Sequence, residues 1–143
     1  MQQLSIKLFA KMLSFPFFVY LLGYAWEVGW DKYHVLWWPN RLVHFLGGVS
    51  MAVMAYFILD LIKKLKWVNN ANKFVDFFLI LFFVMSTTVV WEFYEYISDV
   101  FFFTVAQPSV DDTMKDMLMG MLGAIVFGIG WSVCNFFKTG KKA

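Results

Sequence analysis

An all-α membrane protein, a four transmembrane helix bundle behind a short N-terminal interfacial helix, is the fold class that three observations predict. The 143 residues are 61% apolar and only 15% charged, with eighteen Phe and seven Trp, a composition far from that of a soluble domain of this size. Four apolar runs, at about 13–30, 41–62, 74–97 and 112–137, reach the roughly 20 residues a helix needs to cross a bilayer. The basic residues are also unevenly placed. Lys7, Lys11, Lys63, Lys64, Lys66, Lys73, Lys138, Lys141 and Lys142 fall at the two ends and in the middle connector, against Lys32, Arg41 and Lys115 elsewhere. Nine against three puts both termini and that connector on the cytoplasmic side and requires an even number of spans. Hydropathy gives four from independent information. The charged segments are too short for an extramembrane domain, so residues 1–143 form one unit.

In chain order, Leu4, Leu8, Phe9 and Met12 with Lys7 and Lys11 fit an amphipathic lead lying on an anionic leaflet. The first helix follows, with Pro16 tolerable in its first turn. Its apolar run carries no small-x-small cleavage signal and continues into Trp26-Glu27, so it is expected to be retained. Trp37-Trp38 before Pro39 resembles an interface belt, and Asn40 can cap the second helix. On that helix Arg41, His44 and Gly48 share one face. Residues 77–90 of the third helix carry no charge, and the helix ends in Trp91-Glu92-Phe93-Tyr94-Glu95. Residues 100–110 are expected to lie along the membrane surface or to pack over the bundle. On the fourth helix Asp112, Asp116, Gly120, Ala124 and Gly128 recur every fourth residue. The last three make a small-residue stripe suited to close helix contact, either inside the chain or in a homo-oligomer. A single cysteine, Cys134, excludes an internal disulfide framework.

The polar ends converge at one depth. Glu27 and Asp31 end the first helix, His44 begins the second, Glu92, Glu95 and Asp99 end the third, and Asp112 and Asp116 begin the fourth. Eight of the ten acidic residues thus fall on the outer side, at a level ringed by Trp26, Trp30, Trp37, Trp38 and Trp91. Asp60 and Asp76 are the exceptions and lie near lysines. Carboxylates persist close to hydrocarbon only when paired, protonated, liganded or facing water. Glu92 and Glu95 share a helix face with Asp99 one turn on. One histidine among many oxygen ligands suits a divalent cation such as magnesium, calcium, manganese or iron, and zinc less well. The candidate ligands are His44, Glu92, Glu95, Asp112 and Asp116, with Glu27, Arg41 and Asp99 as additional candidates. For each there is a plainer reading: Glu92 and Glu95 in a network with Arg41 and Lys115, Asp112 and Asp116 complementing a helix dipole, His34 at the surface. The Glu-x-x-His pairs of di-iron bundles are absent.

Asn40-Arg41-Leu42-Val43-His44-Phe45, Trp91-Glu92-Phe93-Tyr94-Glu95, and Asp111-Asp112-Thr113-Met114-Lys115-Asp116-Met117 with Gly120 and Gly123-Ala124 resemble the three signature blocks of the bacterial inner-membrane family called YjdF-like, or DUF2238. The resemblance spans roughly residues 31–126 and picks out His44, Glu92, Glu95, Asp112 and Asp116. It implies a multi-pass protein of a bacterial inner membrane and supplies no reaction. The chain departs from that pattern in being short, with one helix before the His block and a short connection between the third and fourth helices. Three functions follow from the residues. The first is a non-enzymatic protein whose cation layer has a structural, sensing or ion-handling role. The second is a metal-dependent hydrolase or transferase acting on a lipid or phosphate-containing headgroup, and the third a small transporter. An enzyme requires an opening beside the carboxylate layer, a structural site a closed layer, and a transporter a polar lining through to Asp60 and Asp76. Membrane lipid is the expected partner, and nucleic acid is not.

Overall fold

The computed structural model describes residues 6–29, 37–68 and 72–140, which form four helices: α1 (Ile6–Gly29), α2 (Trp37–Lys64), α3 (Lys73–Phe102) and α4 (Val110–Gly140). Each contains a stretch long and apolar enough to span a membrane, and no strand occurs among the described residues. The chain is a four-helix membrane bundle. The backbone of α2 lies against α1, α3 and α4, and α4 also lies against α3. The backbone of α1 rests on α2 alone. It reaches α3 by side chains, the Tyr20 ring meeting Trp91 at 6.0 Å between centroids.

Three helix ends differ from the sequence expectation. The N-terminal lead is not a separate interfacial helix from residue 6 onward, because α1 begins at Ile6 and nothing before Pro16 interrupts it. Pro16 therefore lies inside the helix, which membrane helices tolerate; residues 1–5 lie outside the described residues. Helix α2 begins at Trp37, so Pro39 occupies its first turn, where a missing N–H is harmless. That shift leaves Asn40 inside the helix and not at its cap. Helix α3 runs five residues past Ile97 and stops where Phe103 turns into the left-handed region, at φ 56°. Phe101, Phe102 and Phe103 are 70%, 75% and 89% exposed, so they point away from the bundle and do not cover it.

The opposite end is closed by local hydrogen bonds and ion pairs. Lys66 adopts φ 57°, and the Lys66 and Trp67 N–H groups donate to the carbonyls of Lys63 and Ile62 at 3.0 and 3.1 Å, a helix-ending motif that satisfies otherwise orphaned acceptors. The Asn72 side chain accepts from the Phe74 N–H at 3.2 Å and caps α3. Lys63 pairs with buried Asp76 and ties the end of α2 to the start of α3, while Lys64 pairs with Asp60 one turn away. Both inner acidic residues therefore meet the lysines expected of them.

The core is built from small residues: Ala52, Ala55, Ile80, Val84 and Ala124. Large side chains such as Phe82 and Phe93 face outward, as suits a bundle in hydrocarbon, where close backbone packing and not apolar burial drives helix association. Three glycines make the closest approach. A Cβ at Gly48 would collide with the Gly120 carbonyl, one at Gly123 with the Phe45 carbonyl, and one at Gly120 with the Thr88 methyl. Two members of the small stripe on α4, Gly120 and Ala124, are thus spent on α2 and α3 within the chain, and Gly128 meets the Phe77 ring. Gly47 differs, because a Cβ there would meet nothing within 4 Å. Gly48→Ala is therefore expected to cost about 2–3 kcal/mol by overpacking. Gly47→Ala should be neutral or stabilise by up to about 1 kcal/mol through helix propensity. Unfolding of the two variants in detergent micelles tests this, and equal effects would refute the close α2–α4 contact.

Candidate functional site

Gly48 lies one turn after His44, and Gly120 one turn after Asp116. Drawing the two glycines together therefore draws together the residues above them. His44 is 9% exposed and Asp116 1% exposed, and His44 Nε2 lies 3.7 Å from Asp116 Oδ2. Helix α3, held at Gly120 through Thr88, brings Glu92 from the third side. Glu92 is 6% exposed, with Oε1 at 3.8 Å from His44 Nδ1. A nitrogen of His44 and one oxygen each of Glu92 and Asp116 all lie within 4.8 Å of one another. Separations of 3.7–3.9 Å around the imidazole are too long for hydrogen bonds. Glu92 faces Nδ1 whereas Glu95 and Asp116 face Nε2, and only one of these nitrogens can serve a given cation, so the set with one atom from each of His44, Glu92 and Asp116 is the one that could share an ion.

Each carboxylate is oriented by a donor on its far side. Arg41 reaches from α2 to α4 and forms short ion pairs with Asp116 Oδ1 and Asp112 Oδ1, and it also donates to the Asp112 carbonyl at 3.1 Å. Asn40 donates to Asp116 Oδ2 at 3.0 Å. Asp116 is thus fixed by two neighbours on α2, the same helix that supplies His44. Glu92 is fixed by Gln107, whose side-chain amide donates to the Glu92 carbonyl at 2.9 Å and to Oε2 at 2.8 Å. The other oxygen, Oε1, is buried and receives no hydrogen bond among the described residues. A buried carboxylate oxygen left so costs free energy unless something else binds it.

Gln107 is held in place by Asp99. Its carboxylate accepts from the Thr104 hydroxyl at 2.5 Å and from the Ala106 and Gln107 N–H groups at 2.8 Å each. Asp99, a candidate ligand on the sequence, therefore serves as the anchor of the loop after α3. Its turn of helix lies beyond the cluster, where the chain reverses. Asp112 also stands apart from the three converging ligands, because its carboxylate is taken by Arg41. Glu95 is one turn beyond Glu92, with Oε1 3.9 Å from His44 Nε2, and it accepts from the Trp91 indole at 2.7 Å. The Glu27 side chain, Asp31 and His34 lie outside the described residues. Lys115 pairs with Asp111 on the exposed face of α4 and does not reach the cluster. The structure adds Asn40 and Gln107 to the site. Asn40 had a signal in the sequence, since it precedes His44 by four residues and shares its helix face; Gln107, in an irregular loop, had none.

Beside this cluster lies a cleft of about 1000 Å³ between α1 and the face formed by α2 and α3. Asn40, His44, Glu95 and Asp112 line one end of it, and Leu13, Phe17 and Met51 line its apolar remainder.

The family described as "Predicted membrane protein (DUF2238)" matches residues 4–135 of the chain. No curated protein and no solved structure matches it.

If Arg41 holds Asp112 and Asp116 in place, removing it leaves buried carboxylate without a counter-charge. Arg41→Met is expected to cost about 3–5 kcal/mol, read as a fall in the unfolding midpoint in detergent. Arg41→Lys should recover only part of that, because an ammonium cannot bridge both carboxylates in one plane. Lys115→Met, in an exposed pair, should leave stability unchanged. A stable Arg41→Met protein would refute the arrangement.

Proposed function

We propose that this chain, which belongs to the DUF2238 family of predicted membrane proteins, is a membrane-embedded divalent-cation-binding protein with His44, Glu92 and Asp116 as its ligands. The observation that carries the reading is the buried Glu92 Oε1, which receives no hydrogen bond among the described residues and lies at 3.8 Å from His44 Nδ1, in a group of His44, Glu92 and Asp116. Charge supports it as well. Four carboxylates (Glu92, Glu95, Asp112 and Asp116) surround one guanidinium at a depth where unbalanced charge is expensive. A divalent ion offsets most of the remainder. One imidazole nitrogen with carboxylate oxygens favours magnesium, calcium, manganese or iron over a structural zinc. The lysine distribution puts the site towards the outer face of a bacterial inner membrane, with both termini cytoplasmic.

The cleft favours a second reading, in which the bound cation takes part in hydrolysis or transfer at a lipid headgroup. A purely structural cation would be enclosed, whereas His44, Glu95 and Asp112 border an open volume. There the cation would polarise a headgroup oxygen, and Glu95, on the cleft side of His44, is placed to accept a proton. Transport is supported less, since the cleft lining stops short of Asp60 and Asp76, and both of those are paired with lysines.

Metal analysis of protein purified in detergent without chelator should find about one divalent cation per chain. Glu92→Gln and His44→Ala should lose it, with the fold retained, because the Arg41 pairs remain. Protein free of metal, and silent in calorimetric titration with magnesium, calcium, manganese, ferrous iron and zinc, would defeat the proposal. Gln107→Leu removes only the amide that orients Glu92, so it should weaken binding by about 10–100-fold. An unchanged affinity in that variant would show that Glu92 is not held by the loop.

A further inference from the structure

Gly47 has no partner that requires it. Gly48, Gly120 and Gly123 are glycines because another backbone or a methyl occupies the place of their Cβ, but a Cβ at Gly47 meets nothing within 4 Å. Glycine within a helix costs about 1 kcal/mol relative to alanine, so an unopposed glycine is explained when something outside the chain comes close to the backbone there. Gly130 is also unopposed, but it lies on the exposed surface, whereas Gly47 faces the cleft.

The cleft has the polarity of an amphiphile. Its volume of about 1000 Å³ is at the upper end for a small-molecule site. Along α1 its lining runs from Ala10 to Trp26, about 24 Å at the helical rise. His44 and the carboxylates gather at one end, and the remainder is mostly apolar, with hydroxyls of Ser14, Ser50, Thr87 and Thr88 among its lining. Most of the cleft's lining belongs to the membrane-spanning stretches of α1, α2 and α3, with Thr104, Val105, Ala106 and Pro108 of the following loop, so bilayer lipid is the medium beside it. At the polar end Arg41 is already engaged by Asp112 and Asp116, and the other charged groups there are carboxylates. An anionic headgroup is repelled from such a place unless a cation stands between.

We propose that the cleft between α1 and the α2–α3 face seats an acyl chain of a phospholipid from the surrounding leaflet, with its phosphate bridged to the His44–Glu92–Asp116 cluster by the divalent cation. The headgroup half of the proposal rests on the cation site described above. Gly47 gives the chain room to lie against α2, and the ion is what allows a phosphate to approach four carboxylates. Lipid and cation then bind cooperatively, each raising the affinity of the other by the same factor.

The test uses the full chain in detergent, titrated with phosphatidylglycerol and followed by native mass spectrometry, with manganese or with EDTA. One lipid per chain is expected in manganese, with apparent affinity falling about tenfold or more in EDTA. Gly47→Leu, which fills the cleft, should lose the lipid to a similar degree while binding manganese as before in lipid-free detergent; Gly47→Ala, which puts one carbon in the acyl chain's place, should weaken lipid binding by less. Should Gly47→Leu not fold, Ser14→Leu obstructs the other end of the same cleft, far from the cation ligands. Lipid binding that is unaltered in the filled variant, or equally tight in EDTA, overturns the proposal and leaves the cation site standing. Absence of binding of manganese and of magnesium, calcium, ferrous iron and zinc in the parent protein removes both.

Discussion

A histidine on one helix and an aspartate on another come within 3.7 Å inside this membrane bundle because the two backbones are allowed to touch one turn below them. The contact is made by Gly48 and Gly120, with Gly123 against the Phe45 carbonyl a turn further on. In water such a crossing would be helped by apolar burial. In hydrocarbon that drive is weak, and close van der Waals packing takes its place. The same close approach lets the Arg41 side chain reach two carboxylates on α4 and lets Thr88 bring α3 against Gly120. Everything that positions the candidate ligands therefore depends on three side chains that are absent.

Arg41 then determines which carboxylates are available. It takes Asp112 and one oxygen of Asp116, and Asn40 donates to the other, so that Glu92 Oε1 is the cluster's carboxylate oxygen without a hydrogen bond among the described residues. Asn40 and Gln107 complete the arrangement from opposite sides, one on a helix and one on the loop that Asp99 anchors. Such outer partners fix the direction of a ligand as firmly as the helix fixes its place. The acidic layer is thus divided: Asp112 and Asp116 pair with Arg41, whereas Glu92 and Glu95 face the His44 imidazole.

The sequence disclosed the four helices, and it disclosed the depth at which His44, Glu92, Glu95, Asp112 and Asp116 gather. Both follow from periodicity and hydropathy, which are local properties. It did not separate Asp112 from Asp116, because the two are equivalent on helical spacing, Arg41 pairs with both, and only the packing of α4 against α2 and α3 brings Asp116 to His44 and Glu92. On the sequence Asn40 suits a cap just after Pro39, yet proline is harmless in a first turn and α2 begins at Trp37. Asp99 shares a face with Glu92 and Glu95 and was grouped with them. The reversal of the chain after Phe103 turned it to another use, and nothing local announces where an irregular loop will fold back.

The bundle is also unequal in how its helices are held. Helices α2, α3 and α4 meet through glycines and small core residues and carry all the candidate ligands described. Among the described residues the backbone of α1 contacts α2 alone, through Gly23 beside Val43 among other places, and α1 meets α3 through side chains such as the rings of Tyr20 and Trp91. A helix with few packed partners contributes least to stability and is the one that can border a cavity at small cost. Filling the space between α1 and α3 with larger side chains would have raised cohesion at no expense to the ligand geometry. The chain instead keeps Gly47 facing that space. Stability in this protein rests with three helices, and the fourth is left to form one wall of a cleft that the other three do not require.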